Sequence, residues 1–427
     1  MQYSAYLRWS RATLIVMCSF VAASCTRETA SRTGVTEISY WRTLTGPAGD
    51  AQDELAERFN SSQNAVHVNV EFQGSYSDLA TKLMTSSVSR RGPEVTQLGT
   101  FEIREFARAG VLVDLAPFVD GGAGIDTSDW PGTMLEAGRV EGGLYWLPFN
   151  VSVPLLYYNP EAFRESGIDS PPATWNEFVD DARRLTRRDA AGAIERHGVA
   201  LWNNTWPLLS WIWSEGGELT DRNYTNITLD DPIVIEVLST IQALLREGAA
   251  VMPDAASGGH RSAFMNGRAA MILDSPAPYA EIAAGASGFE PMVALYPSGR
   301  AGRIYAPGGG GLAMLSTTER PKRAAAWEFI RWMLAPESLA FYAEQTGYAA
   351  FSESSRSAAG GWIHDEKRAI IHEALPYLRG DFSVTMSPAV RNAFDNAFRR
   401  IVIEDIDPAT ALREADAEAE RNIQEEL

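Results

Sequence analysis

The chain has 427 residues, 45% of them apolar, and a formal net charge of −18. That length exceeds what one hydrophobic core serves and calls for two or more domains, each with ample apolar material to bury. The negative field excludes nucleic acid and anionic lipid headgroups as partners, because their phosphates repel it.

At the N-terminus, Arg8 and Arg11 precede an apolar run from Ala12 to Ala23, shorter than the ~20 residues that span a bilayer. A positive flank, a short apolar stretch and small residues before a break mark an export signal. The break, Ala22-Ala23-Ser24-Cys25, resembles a bacterial lipobox, with Ala22 where the pattern usually holds Leu. The expectation is a signal peptide over residues 1–24, an acylated Cys25 as the mature N-terminus, and a polar tether over residues 25–35. The alternative is ordinary signal cleavage nearby with Cys25 incidental. Cys18 lies inside the apolar run, so the mature chain keeps Cys25 alone and has neither an internal disulfide nor a cysteine metal cluster.

Glu37–Trp41 then reads as a strand, and Asp50 as the cap of a helix whose apolar face is Ala51, Leu55 and Phe59. Val66, Val68, Val70 and Phe72 alternate with polar residues and form a second strand. A helix from Tyr76 to Ser87 and a short strand at Val95–Leu98 follow. Strand, helix, strand, helix, strand with short links implies parallel pairing and an α/β lobe. The segment from Gly142 to Gly167 runs as an apolar strand into Pro148, exposes Asn150 and Ser152 to the pattern, and resumes as a second strand ending at Asn159. Two prolines with polar residues between them suit a backbone leaving one sheet for another, or else two core strands joined by a proline turn. Helices are expected at Asp180–Arg188, Pro232–Glu247 and Pro321–Leu334, strands at Ala269–Leu273 and Pro291–Tyr296, and a small-residue loop at Ser352–Gly361. The lobes are assigned as residues 36–147 with 291–334, and residues 149–289 with 335–427. The chain then crosses between them about three times, which permits a hinge.

Enzyme signatures are missing from the sequence. There is no Gly-x-Ser-x-Gly elbow and no P-loop, and His372-Glu373 lacks the second histidine of a zincin. The five histidines are scattered without ligand spacing, and Gly308–Gly311 lacks the following acid of a dinucleotide site. The expectation is therefore a protein that does no chemistry and needs no cofactor or metal, with a carboxylate-pair hydrolase as the enzymatic alternative.

Ligand-holding chemistry is better represented. Polar solutes such as sugars are gripped by aromatic faces and by hydrogen bonds around their rims. Leu201-Trp202-Asn203-Asn204-Thr205-Trp206 offers both, and Trp202 in its loop-like context is a better ligand candidate than Trp206, whose register with Trp213 also fits a core. The glycine run Gly308–Gly311 is either a cradle of unhindered N–H donors or a tight crossover loop.

Several segments in chain order carry a family likeness: Tyr40-Trp41, Phe59-Asn60, Gly74-Ser75-Tyr76, the Gly142–Gly167 stretch, Ala306–Leu312, Gln345-Thr346-Gly347-Tyr348 and the final Pro408–Leu427 helix. The set resembles the extracellular solute-binding proteins of ABC importers, with the two-lobed α/β periplasmic-binding-protein fold, and within them the glycerol-3-phosphate-binding and carbohydrate-binding branch. The resemblance implies a monomeric receptor that hands a small solute to permease subunits in the membrane and touches the membrane itself only through its lipid anchor. It carries over Tyr76, Ser152, Ser275, Gly309, Tyr348 and Arg391 as ligand contacts. Arg391 suits a phosphate, or else a salt bridge to an acid such as Asp395. One position departs: the family's acid after the third strand is Gly99 here, and the nearest carboxylate is Glu102. An open space at Gly99 would admit a glycerophosphodiester or a sugar. The solute expected is glycerol-3-phosphate or a glycerophosphodiester, with a neutral sugar or oligosaccharide as the alternative.

Overall fold

The computed structural model describes residues 34–220, 226–254, 259–380 and 387–426. The signal segment, Cys25 and most of the tether lie outside the described residues. Among the described residues no helix is long and apolar enough to cross a membrane.

Two sheets organise the chain. In the first, Thr36–Arg42 pairs in parallel with Val66–Phe72 on one side and Val95–Gly99 on the other. Gly308–Met314 then runs antiparallel to Val95–Gly99, and Leu147–Ser152 closes the far edge against it. The helices Pro47–Ser62 and Arg320–Met333 cover this sheet. In the second, Ile194–Ala200 lies between Ala250–Val251 and Ala269–Asp274, both parallel to it. Leu155–Tyr158 and then Met292–Leu295 add antiparallel strands.

The sheet membership corrects the lobe boundaries. Met292–Leu295 pairs with Leu155–Tyr158 and so belongs to the second sheet, not the first. Its short apolar run fits either sheet; the antiparallel partner decides. The helix Pro336–Thr346, expected in the second lobe, packs on Pro47–Ser62 of the first, and Tyr342 meets Phe149 at 4.5 Å between ring centroids. The backbone passes between the sheets at Val153-Pro154, between Leu295 and Gly308, and after Thr346.

Local chemistry moves several element ends. Pro47 opens the first helix after Gly46 (φ 60°), so Asp50 sits inside its first turn, where its charge favours the helix dipole, and not at the cap. The helix expected from Asp180 starts a turn and a half earlier at Trp175, because Thr174 and Glu177 form a capping box. The stretch expected as a loop after Ser352 contains the helix Glu353–Ala358, capped by Ser352 through the backbone N–H of Ser355. In the second lobe Trp175 and Trp211 stack at 4.4 Å and 6°, and Trp213 is buried, so both Trp211 and Trp213 are core residues.

Candidate functional site

The carboxyl ends of the parallel strands in the first sheet face the crossings, the place where α/β sheets hold ligands. A polar network is built there. Thr43, just past the first strand, donates both its N–H and its hydroxyl to Gln97 Oε1 at 2.9 Å. Gln97 Nε2 donates to Asn150 Oδ1 at 2.8 Å and to Tyr76 Oη at 3.3 Å. Asn150 Nδ2 completes the ring, donating to Tyr76 Oη at 3.0 Å. Asn150 is fully buried at the sheet edge, so its amide is satisfied by this ring and not by water. Tyr76 is half-buried, and burial pushes its phenol well above the usual range.

The glycine run is explained by what crowds it. Gly308–Met314 is a strand and not the tight crossover loop that was one of the two expectations. A Cβ at Gly309 (φ 89°) would sit 1.8 Å from Asn150 O, and one at Gly310 would sit 2.7 Å from Tyr76 Oη. At Gly308 it would meet the Trp206 ring at 2.7 Å. The residues are glycine so that Asn150, Tyr76 and Trp206 can close in on the strand. Trp206 is buried, donating its indole N–H to Pro307 O at 3.1 Å. Ser152, opposite Gly308 in the register, is also buried, and its Oγ has no partner among the described residues.

The space expected at Gly99 is closed. A Cβ there would lie 3.0 Å from Glu102 Oε2 and 3.3 Å from the Tyr76 ring. The carboxylate missing from the strand end is thus supplied by Glu102, which is 5% exposed. Glu102 precedes the helix Ile103–Arg108, whose geometry turns its side chain back over the strand end, and sequence spacing alone gave no sign of that. Arg391 Nη1 donates to Glu102 Oε1 at 3.2 Å, so Arg391 pairs across the cleft with Glu102 and not with Asp395. Asp395 instead accepts a hydrogen bond from Thr205 Oγ1. Glu102 Oε2 has no partner among the described residues, and burial raises the Glu102 carboxyl despite the opposing Arg391 charge. The Arg391 guanidinium also stands 5.0 Å from the Phe101 ring centroid.

On the second-lobe side, Asp274 at the end of its strand is fully buried and gripped from three directions. His260 Nε2 lies 2.8 Å from Oδ2, Arg261 Nε donates to Oδ2 at 2.6 Å, and Ser275 N donates to Oδ1 at 2.7 Å. Ser275 is placed by this clamp and by Tyr157 Oη, which donates to its carbonyl at 2.7 Å. His260 stacks under the half-buried Trp202 at 5.3 Å and 17°, while Trp202 meets Trp206 edge-on at 6.4 Å. Tyr348, in the tight turn after Gly347, stacks on Tyr342 at 5.8 Å; burial pushes its phenol up, with Asn150 and Arg261 opposing.

Hydrogen bonds, strand register and close approaches therefore tie Tyr76, Ser152 and Gly309 into one cluster around Asn150, with Trp206 against Gly308. Asn150 and Asp274 both act on Tyr348, and Arg391 meets Glu102 beside Tyr76. Sequence reasoning named Glu102 only as the nearest carboxylate and passed over Gln97 and the Asp274 clamp as site residues. For Gln97, a long polar side chain inside a short, largely apolar strand was the available signal.

Solved structures share the fold. The chain superposes on UgpB from Mycobacterium tuberculosis in complex with glycerophosphocholine with a TM-score of 0.81 and 24% identity, covering 92% of this chain and all of that one. On the GacH receptor of Streptomyces glaucescens the TM-score is 0.77 at 20% identity, over 90% and 97% of the two chains. These likenesses define a two-lobed solute-receptor fold. The family model for bacterial extracellular solute-binding proteins matches residues 45–340, and the chain belongs to that family. It is 26% identical over 345 residues to the sn-glycerol-3-phosphate-binding periplasmic protein UgpB of Rhizobium meliloti, covering 75% of this chain and 78% of the relative. The relative of the same description in Yersinia pseudotuberculosis is also 26% identical, over 75% of each chain.

Proposed function

We propose that this protein is the receptor of an ABC importer for a phosphate-bearing polyol, glycerol-3-phosphate or a glycerophosphodiester, which it binds by lobe closure and releases unchanged to permease subunits. The observation that carries the reading is the Arg391–Glu102 pair. Among the described residues Arg391 uses one of its five N–H donors in a hydrogen bond, and the buried Glu102 keeps one oxygen without a partner. A guanidinium beside an unpaired carboxylate oxygen accommodates a phosphate at one end of a ligand and a hydroxyl donor at the other. Ser152 Oγ, also without a partner among the described residues, Ser275, Tyr348, Tyr76 and the half-buried Gly309 supply the remaining contacts.

Removing one member of a buried charge pair costs about 3–5 kcal/mol, so Arg391→Ala weakens a phosphate ligand by roughly two to three decades. Titration calorimetry with glycerol-3-phosphate, a glycerophosphodiester and maltooligosaccharides decides the class. A neutral sugar bound tightly, indifferent to Arg391→Ala and abolished by Trp202→Ala, replaces this reading with that of a saccharide receptor. Turnover of any of these compounds would move the protein to the enzymes.

The lipid anchor at Cys25 belongs to the same reading, since stable attachment rests on acyl chains. Cys25→Ala releases the protein from membranes into the soluble envelope fraction, and unchanged retention would refute the anchor.

A further inference from the structure

One turn beyond Arg391 the same helix face presents Asp395, and a turn beyond that Arg399, spacings that place all three along one stripe of Pro388–Ile403. Asp395 and Arg399 line a cavity of about 220 Å³ together with Asn203, Asn204, Thr205 and Asn396, floored by the buried Phe398. We infer that this cavity is a second subsite of the solute cleft, built for a neutral, hydroxyl-rich head group joined to the phosphate that Arg391 holds. The inference rests on the phosphate reading above and narrows it to phosphodiesters with a polyol on the far side.

Three observations support it. The cavity adjoins Arg391 along the helix, since Asp395 lies one turn from it, and the Thr205 hydroxyl and the Arg391 charge oppose the upward push that burial gives the Asp395 carboxyl. Part of its wall is held in place: Thr205 Oγ1 donates to Asp395, and Asn204 Oδ1 accepts from Trp206 N at 2.8 Å, where Trp206 in turn borders Gly308. Its chemistry is balanced. One carboxylate and one guanidinium oppose each other, and three carboxamides offer hydrogen-bond donors and acceptors. A trimethylammonium head wants an aromatic box with net negative charge, and a second phosphate wants net positive charge; neither is present in this lining.

The test uses the mature chain and three probes in titration calorimetry: glycerol-3-phosphate, the bis(glycerol) phosphodiester and glycerophosphocholine. The bis(glycerol) diester should bind about tenfold more tightly than either of the others, the equivalent of one or two added neutral hydrogen bonds. Asn396→Leu and, separately, Asn203→Ala should collapse that ratio toward one; both positions are exposed, so folding is preserved, and circular dichroism verifies it. A monoester that binds as tightly as the diester, a preference for the choline head, or variants that leave the ratio intact would each overturn the subsite while keeping the phosphate reading. A protein that takes none of the three probes but takes a sugar removes the phosphate reading and this inference with it.

Discussion

Two buried acids, one in each lobe, are each held by an arginine, and they behave in opposite ways. Asp274 in the second lobe is fully enclosed, yet its carboxyl sits below the ordinary range: burial would raise it, and hydrogen bonds from His260 and Arg261 more than compensate. Glu102 in the first lobe is also buried, but a single contact to Arg391 leaves Oε2 without a partner among the described residues, and burial wins, raising its carboxyl. The difference lies in saturation, since a buried carboxylate stays ionised only when its lone pairs are met. Asp274 is finished as structure. Glu102 has the incomplete coordination expected of a group that waits for a ligand.

The largest expected effect breaks the finished site. Asp274→Ala leaves His260 buried and Arg261 largely buried without their counter-charge, and destabilises folding by about 3–5 kcal/mol in chemical denaturation. A loss below 1 kcal/mol would mean that the clamp does not hold the strand end.

A base outside the cleft sharpens the same contrast. His372 Nε2 is buried with no partner among the described residues, and burial, aided by the Arg356 charge, lowers its pKa to about 4. Its folded pKa lies below the unfolded value of ~6.5, so the folded state binds fewer protons. The stability it contributes is present above pH 6.5 and is lost as pH falls toward 4, by up to about 3 kcal/mol after allowing for its partial exposure. His372→Leu should flatten that part of the stability profile, measured by urea titration at pH 7, 5.5 and 4. An unchanged slope in the variant would assign the loss to other groups.

The smallest effect on folding, and the most telling for binding, comes from Glu102→Gln. The folded pKa of Glu102 is raised, so the folded state holds its proton more tightly and stability falls as pH rises from the ordinary carboxyl range through the raised value. Glutamine removes this slope and changes stability at pH 7 by no more than about 1 kcal/mol, because relief of burial offsets the weakened Arg391 contact. Ligand affinity should still fall about tenfold, since the acceptor for a ligand hydroxyl loses its charge. A large loss of stability with unchanged affinity would make Glu102 a second structural acid.

Much of this architecture was legible in the chain. Period-two alternation over Val66–Phe72 and the proline and glycine punctuation around Pro160 and Pro232 fixed those elements, because such signals depend on neighbours within a turn or two. The ordered motifs pointed to the two-lobed fold for the same reason. Tertiary structure decided three other matters. Met292–Leu295 joins the second sheet because its partner, Leu155–Tyr158, lies more than a hundred residues away. The glycine run is a strand because Asn150, Tyr76 and Trp206 press on it from distant segments. Glu102, three residues beyond the position where an acid was missing, fills that place because the backbone after the strand turns its side chain back over Gly99. Local sequence sets periodicity and caps; which side chains meet, and which carboxylate is left with a free oxygen, is fixed only when the two sheets close on each other.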